Sequence, residues 1–184
     1  MSNRKGGIFA FTLDHGDVLF CARLSDGRRE IVLVTALGQA IRFPEEQVRP
    51  MGRAAHGVKG IDLEAEDRVV EMEVAKAEAD LLVITENGYG KRTPLEEYRR
   101  QARGGKGIKT INLTRKNGPI IGARVVAPED GLMVVTAAGI IIRTKVQDIS
   151  QMGRGTQGVR IIRLEEGDRV VALAHVVNRE EEED

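Results

Sequence analysis

This sequence has no tryptophan, and aromatic residues make up only 3% of its 184 positions. A core without large rings must be built from Val, Ile, Leu and Ala, a composition that favours strands. Cysteine occurs once, at Cys21, so no disulfide can close within the chain, which suits a reducing cytoplasm. The longest apolar run, 131–142, falls short of the roughly 20 residues a bilayer-spanning helix needs and is broken by Thr136. No charged segment followed by an apolar one opens the chain. The expectation is a soluble cytosolic protein.

Net charge is also missing, but the balance is local. Lys and Arg total 28, as do Asp and Glu, and five of the acids form an unbroken run at 180–184. The rest of the chain therefore carries about +5. Such a run is expected to be a disordered, solvated tail, 179–184; the sharper alternative is an autoinhibitory strand competing with an anionic ligand.

What the chain has in abundance is self-similarity. IVLVT (31–35), LLVIT (81–85) and LMVVT (132–136) each end in Thr. Three residues later comes Gly38, Gly88 or Gly139, and four beyond that Arg42, Arg92 or Arg143. Each Thr lies 22 residues before a second glycine, Gly57, Gly107 or Gly158, with Arg53, Arg103 or Arg154 four residues ahead of it. Alternating segments VKGIDL, IKTINL and VRIIRL follow, with Leu63, Leu113 and Leu164 in register. The period is 50 or 51 residues, which places the chain among repeat architectures. Gly7, Ile8 and Leu13 match the second half of a unit. The organisation read from this is a half unit over 5–28, then full units over 29–78, 79–130 and 131–178. It suggests a sequence cut from something longer.

Each unit reads as β. The apolar runs are buried strands, and the first glycine turns the chain into a return strand, giving hairpins across 36–38, 86–88 and 137–139. Residues 71–74 alternate with period two, and 170–177 is apolar throughout, as expected of an inner strand. Helix signals are weak, with at most a turn or two over 95–103 after Pro94. An all-β fold of four-stranded, 50-residue units has the size of propeller blades.

The loop before the second glycine concentrates positive charge. Window 87–109 carries Lys91, Arg92, Arg99, Arg100, Arg103, Lys106 and Lys109 against Glu96 and Glu97, a net of +5. The matching windows 136–160 and 35–59 carry +3 and +2. In a propeller, equivalent positions share one rim, so the recurring cations form a track suited to a polyanion, duplex nucleic acid above all. Gly104, Gly105 and Gly107 would let backbone approach a phosphate and present N–H groups, with Arg103 and Lys106 supplying charge. No aromatic platform interleaves with the cations, which disfavours single strands.

Other motifs carry less. GRGTQG (153–158) fits G-x-G-x-x-G but precedes a strand, and the repeat alignment explains its glycines. His15, His56 and His175 are scattered, so no metal site is expected, and His175 reads as a core histidine. No nucleophile with a base at usable spacing points to catalysis. Tyr98 is expected to pack beneath the loop. Without Trp, a WD40 or kelch reading is weak.

LLVITENGYGKRTPLEEYRRQARGGKGIKTINL closely resembles the C-terminal region of the DNA gyrase A protein. QARGGKG (101–107) resembles that family's box, a Gln followed by a basic, Gly-rich heptad, with Ala102 where a cation often stands. ISQMGRGTQGVRIIRL (149–164) and the acidic tail are similar to the end of that protein. The resemblance implies a β-pinwheel, a propeller-like spiral whose blades exchange strands. It implies duplex DNA wrapped on the outer rim, in support of ATP-dependent negative supercoiling by a type II topoisomerase. It gives DNA-contact roles to Arg42, Arg53, Lys91, Arg92, Arg99, Arg100, Gln101, Arg103, Gly104, Gly105, Lys106, Gly107, Lys109, Arg143, Arg154 and Arg160. No catalytic residue, metal or cofactor is assigned to this region: ATP and Mg act elsewhere in the holoenzyme, whose other parts are the N-terminal domain of the gyrase A protein and the gyrase B protein. The family's best box usually sits in the first blade, so that box lies outside this piece. The implied location is cytoplasmic, at the bacterial nucleoid.

Three alternatives stay open: the C-terminal domain of topoisomerase IV, a propeller-like protein-interaction scaffold, and an enzyme with a central site. The intact box argues against the first. A half unit would also leave an unpaired N-terminal edge, giving either a frayed terminus or a strand-exchanged contact between copies.

Overall fold

The computed structural model describes residues 9–176. Eleven strands account for its regular structure apart from three short 3-10 turns, at Glu45–Gln47, Leu95–Glu97 and Val146–Asp148. The expected hairpins form: β1 (Glu30–Thr35) with β2 (Gln39–Pro44), β4 (Asp80–Thr85) with β5 (Tyr89–Pro94), and β8 (Gly131–Thr136) with β9 (Ile141–Lys145). The repeated Thr and Gly explain them. Gly38, Gly88 and Gly139 have φ of 90°, 78° and 83°, open to glycine at little steric cost. The threonine hydroxyl holds the turn, accepting from the amides of Gln39, Tyr89 and Ile140 at 3.1–3.3 Å.

A third strand joins each hairpin on its first member: β3 (Val69–Val74) on β1, β7 (Ile120–Val126) on β4, β11 (Val170–Val176) on β8, all antiparallel. The fourth position is filled by the next unit. β6 (Ile108–Lys109) lies on β2, and β10 (Val159–Arg160) lies on β5. The sheets thus read β3-β1-β2-β6, β10-β5-β4-β7 and β11-β8-β9. The expectation of four strands in every unit holds over 79–130 and 131–178 and fails over 29–78, which contributes only β1, β2 and β3; the third sheet has three strands because among the described residues no following unit lends one.

Period-two alternation in β1, β4 and β8 creates two apolar faces per sheet. Val32 and Val34 pack against Leu81 and Val83 in one core, while Leu82 and Ile84 pack against Leu132 and Val134 in another. Each such side chain contributes roughly 1.5–3 kcal/mol on burial. A third, smaller cluster covers the far face of the first sheet with Ile31, Leu33, Ile41, Phe43 and Ile61.

Residues 9–29 contain no strand, and Phe9 and Leu24 are fully exposed there. The turns expected over 95–103 shrink to the 3-10 turn at Leu95–Glu97. The acidic tail, 179–184, lies outside the described residues. No helix among the described residues is long and apolar enough to cross a membrane.

Candidate nucleic-acid interface

The loops that precede the exchanged strands touch one another in a repeating pattern. Asp62 N–H donates to Gly105 O at 2.9 Å, and one unit on, Asn112 N–H donates to Thr156 O at 2.9 Å. The Arg103 guanidinium donates to Lys59 O, and the Arg154 guanidinium to Lys109 O, again one unit on. Gly104 N–H donates to Gly60 O, and Arg103 N–H to the Gln47 side chain. Loops 47–62, 97–112 and 151–158 therefore form one continuous row.

Buried groups hold that row from below. Tyr98 is 1% exposed and its hydroxyl bonds Thr110, so it packs under the QARGGKG loop as expected; burial pushes its phenol up to about 12. Lys91 is fully buried, and its ammonium donates to Gly153 O and Arg154 O. Burial lowers that ammonium to about 8, partly offset by Glu97. Arg42 and Arg92 act as latches between units. Arg42 pairs with Glu30 and donates to Leu95 O at 2.7 Å. Arg92 pairs with Asp80 at 2.7 Å and donates to Ile149 O at 2.8 Å. Parallel bridges join the same arginines to Arg100 and Gln151 of the next unit. Arg100 also reaches back to Glu30. Burial raises the Glu30 carboxyl, but the two arginines outweigh it and hold it below the usual range.

The sixteen residues singled out in the sequence thus divide. Lys91, Arg42 and Arg92 face into the junctions, where their charges are engaged by carbonyl oxygens and, for the two arginines, by carboxylates. Arg103 and Arg154 are half-buried struts; Arg154 also stands 4.0 Å from Glu97. Gln101 N–H donates to Arg42 O, and its side-chain nitrogen is buried without a partner among the described residues. Gly107, with φ 76°, serves strand exchange: a β-carbon there would stand 2.7 Å from Ala40 O. Gly104 spends its amide on Gly60. The amides of Gly105 and Lys106 donate to no acceptor among the described residues. On the surface stand Arg53, Arg99, Arg100, Lys106, Lys109, Arg143 and Arg160. Among the described residues no ion pair engages Arg53, Arg99, Lys106 or Lys109.

Sequence reasoning singled out Arg160 but passed over the two cations beside it, Arg115 and Lys116. Arg160 donates to the Tyr89 hydroxyl at 2.8 Å, and Lys116 sits 5.3 Å from the centre of the same ring. Arg115 and Lys116 are exposed beside them. Their counterparts in register, Ala65 and Glu66 and then Glu166 and Gly167, are not cations, so recurrence could not find them; only the bare charge of RK at 115–116 marks them. Arg49 and Lys59 on the first loop, also exposed, belong to the same row.

Comparison with known proteins agrees with this architecture. Residues 29–76, 79–127 and 132–176 match the family model described as DNA gyrase C-terminal domain, beta-propeller. The DNA gyrase A protein of Halalkalibacterium halodurans is 52% identical over 181 residues, 98% of this chain and 22% of that protein. The gyrase A protein of Chlamydia trachomatis is 42% identical over 174 residues, 94% of this chain and 21% of that protein. The chain thus spans about a fifth of the length of the curated relatives it matches. A solved gyrase A C-terminal domain superposes with a TM-score of 0.87 at 25% identity, covering 94% of this chain and 59% of that one. A topoisomerase IV C-terminal domain gives 0.79 at 30% identity, covering 84% and 48%. With three repeat units matched in register and the exchanged-strand sheets in place, the chain belongs to the DNA gyrase C-terminal domain family, a β-propeller-like fold.

Proposed function

We infer that this chain binds duplex DNA without sequence preference along its row of loops, and bends it around that rim. The observation that carries this reading is the repetition of loop-to-loop contacts, which turns separate cations into one track. Arg53, Arg99, Lys106 and Lys109 stand on that track in no ion pair among the described residues, so their charge is free for phosphates. The unspent amides of Gly105 and Lys106 add two donors beside them. Tyr98 is buried and Tyr89 is 8% exposed, so neither tyrosine beside the row of loops offers a stacking platform for single-stranded bases. Bending a 20–30 bp duplex costs of order 1–6 kcal/mol, and distributed phosphate contacts can offset it.

In the larger protein this wrap would serve a gyrase. It would present DNA to a cleavage centre in the N-terminal part of the gyrase A protein, with ATP hydrolysis in the gyrase B protein. The chain would take no part in either chemistry, and its place would be the bacterial nucleoid. The intact QARGGKG loop favours gyrase over topoisomerase IV, the second structural likeness.

The test is binding measured over a salt series. Each phosphate left unneutralised by a substitution should reduce the slope of log K against log salt by about 0.9. Trapping plasmid writhe with a nicking-closing enzyme then separates wrapping from plain binding. Binding that is insensitive to salt, or a plasmid with no trapped writhe, would sink the reading.

A further inference from the structure

In each unit a short turn carries the chain toward the strand that joins the hairpin's first member, and the second unit's turn departs from the other two. The first and third read EAED (64–67) and EEGD (165–168), and in each the Asp N–H donates to the carbonyl three residues back at 3.1 Å. The second reads TRKNG (114–118) and closes four residues back, Gly118 N–H to Thr114 O at 3.0 Å. Leu113 stands seven residues before Ile120, whereas Leu63 and Leu164 stand six before Val69 and Val170, the matching partners of Thr85, Thr35 and Thr136. The second turn is thus one residue longer, and it carries Arg115 and Lys116 where the others are acidic.

Its fastenings differ in kind as well. In the first and third units the hairpin amides of Leu37 and Ala138 donate to the carboxylates of Asp67 and Asp168 at 2.9 and 3.0 Å. The second hairpin has Asn87 in that place, and its side-chain nitrogen donates to Arg115 O at 3.3 Å and Lys116 O at 3.1 Å. Asn117 is 1% exposed and ties the turn from within, accepting from Thr114 N–H at 2.6 Å and donating to Asn112 O at 3.0 Å. It also donates to Gln157 O at 3.2 Å, on the third loop of the row. The turn is therefore fastened against the row.

Tyr89 stands where the other units have Gln39 and Ile140. Arg160 donates to its hydroxyl at 2.8 Å, and Lys116 lies 5.3 Å from its ring centre. A hydroxyl that accepts one bond keeps its own proton to donate. The Arg160 hydrogen bond outweighs burial and holds the phenol below its ordinary range. Asn87, Tyr89, Lys116 and Arg160, with Ile162 and Leu164, line a cavity of about 300 Å³. Asp168, the acid on its wall, accepts from the amides of Ala138 and Arg169. Arg115, Lys116 and Arg160 are exposed and join no ion pair among the described residues.

We propose that Arg115, Lys116 and Arg160, with the Tyr89 hydroxyl, form a phosphate seat beside the row of loops, which takes a backbone phosphate of the duplex at the junction of the second and third units. Cations and a hydroxyl donor converging on one small cavity suit a phosphodiester, which offers acceptor oxygens and a single negative charge. The counterpart turns, EAED and EEGD, repel the same backbone. The grip along the row is therefore uneven: the duplex is drawn toward this turn at the second unit and held off at its neighbours. The seat presupposes duplex DNA on the row, and the experiment separates the two.

The test combines two measurements on the full chain. Lysine acetylation is read by mass spectrometry with and without a duplex, and duplex binding is followed over a salt series for the wild type and an Arg115→Ala, Lys116→Ala variant. The duplex should slow acetylation of Lys116 as it slows that of Lys109, and leave Lys76, exposed between β3 and β4, unchanged. The variant should keep the wild-type unfolding midpoint, and its slope of log K against log salt should fall by about 0.9 for each phosphate lost. Lys116 acetylated equally with and without duplex, or a folded variant with the wild-type slope, would overturn the seat, and a steep wild-type slope would still leave the duplex reading standing. Salt-independent binding by the wild type would overturn both. If the variant does not fold, acetylation of the wild type decides alone. Inorganic phosphate that protects Lys116 as well as duplex does, at equal phosphate concentration, would assign the cavity to a free anion and overturn the seat for DNA.

Discussion

Gly107 and Ala40 approach so closely that a β-carbon on the glycine would stand 2.7 Å from the alanine carbonyl oxygen. This contact seats an exchanged strand, and φ at Gly107 is 76°. Gly107→Ala should therefore suffer both a clash with backbone and a left-handed penalty, together about 2–4 kcal/mol. Gly57→Ala, with φ 90° and open space, should lose only the second part, about 1–2 kcal/mol. Urea midpoints of the two variants check this; equal losses would refute the steric account.

Lys91 gives stability an unusual pH dependence. Its ammonium titrates at about 8 in the fold because of burial, against 10.5 for an ordinary lysine. Between those values the unfolded chain holds a proton that the folded chain has released, so stability rises with pH across that window and this contribution is flat below it. At about 1.4 kcal/mol per unit, the rise is roughly 3 kcal/mol. Lys91→Met should abolish it. Tyr98, raised to about 12 by burial, acts in the opposite direction above pH 10, so the comparison is cleanest from pH 8 to 10. Parallel curves for wild type and variant would refute the assignment.

The latch between the second and third units is a buried ion pair. Arg92 and Asp80 are 16% and 8% exposed in their side chains, and Gln151 adds a bond to the same carboxylate at 3.0 Å. Arg92→Met leaves that carboxylate unpaired and should cost about 3–5 kcal/mol. Adding Asp80→Asn should recover part of the loss, as a double-mutant cycle would register. Strict additivity of the two losses would count against direct coupling.

Surface cations should behave differently. Arg99→Ala and Lys109→Ala remove exposed charges in no ion pair, so unfolding midpoints should move by less than about 0.5 kcal/mol. Duplex binding should weaken, and its salt slope should fall by about 0.9 for each phosphate no longer neutralised. Lys91→Met should alter the pH dependence of stability, yet change the salt slope only through the 153–154 loop. A slope change at Lys91 as large as that at Lys109 would contradict the burial of its ammonium.

Much of this was legible in the sequence. The Thr, Gly and Arg spacing marked hairpins, units and the row of loops, because each residue type answers a local need: a hydroxyl to hold the turn, a glycine for positive φ, a cation at the corner. The roles of the cations were less legible. Position alone does not separate Arg92, which ties two units, from Arg99, which faces solvent. Lys91 stands where the other units have Ile41 and Ile142, and its burial follows from that register more than from its charge. Nor could the register show that Gly107 accommodates a neighbouring carbonyl instead of an anion. Arg115 and Lys116, whose counterparts in the other units are not cations, left only their charge as a signal.

The strand lent backward by each unit also sets a schedule for synthesis. The sheet begun by β1 lacks its outer member until residues 108 and 109 have left the ribosome, and the sheet begun by β4 waits for 159 and 160. Growth of the chain therefore always trails one unfinished edge, and each newly emerged segment has a waiting seat about seventy residues behind it, Ala40 for Ile108 and Gly90 for Val159.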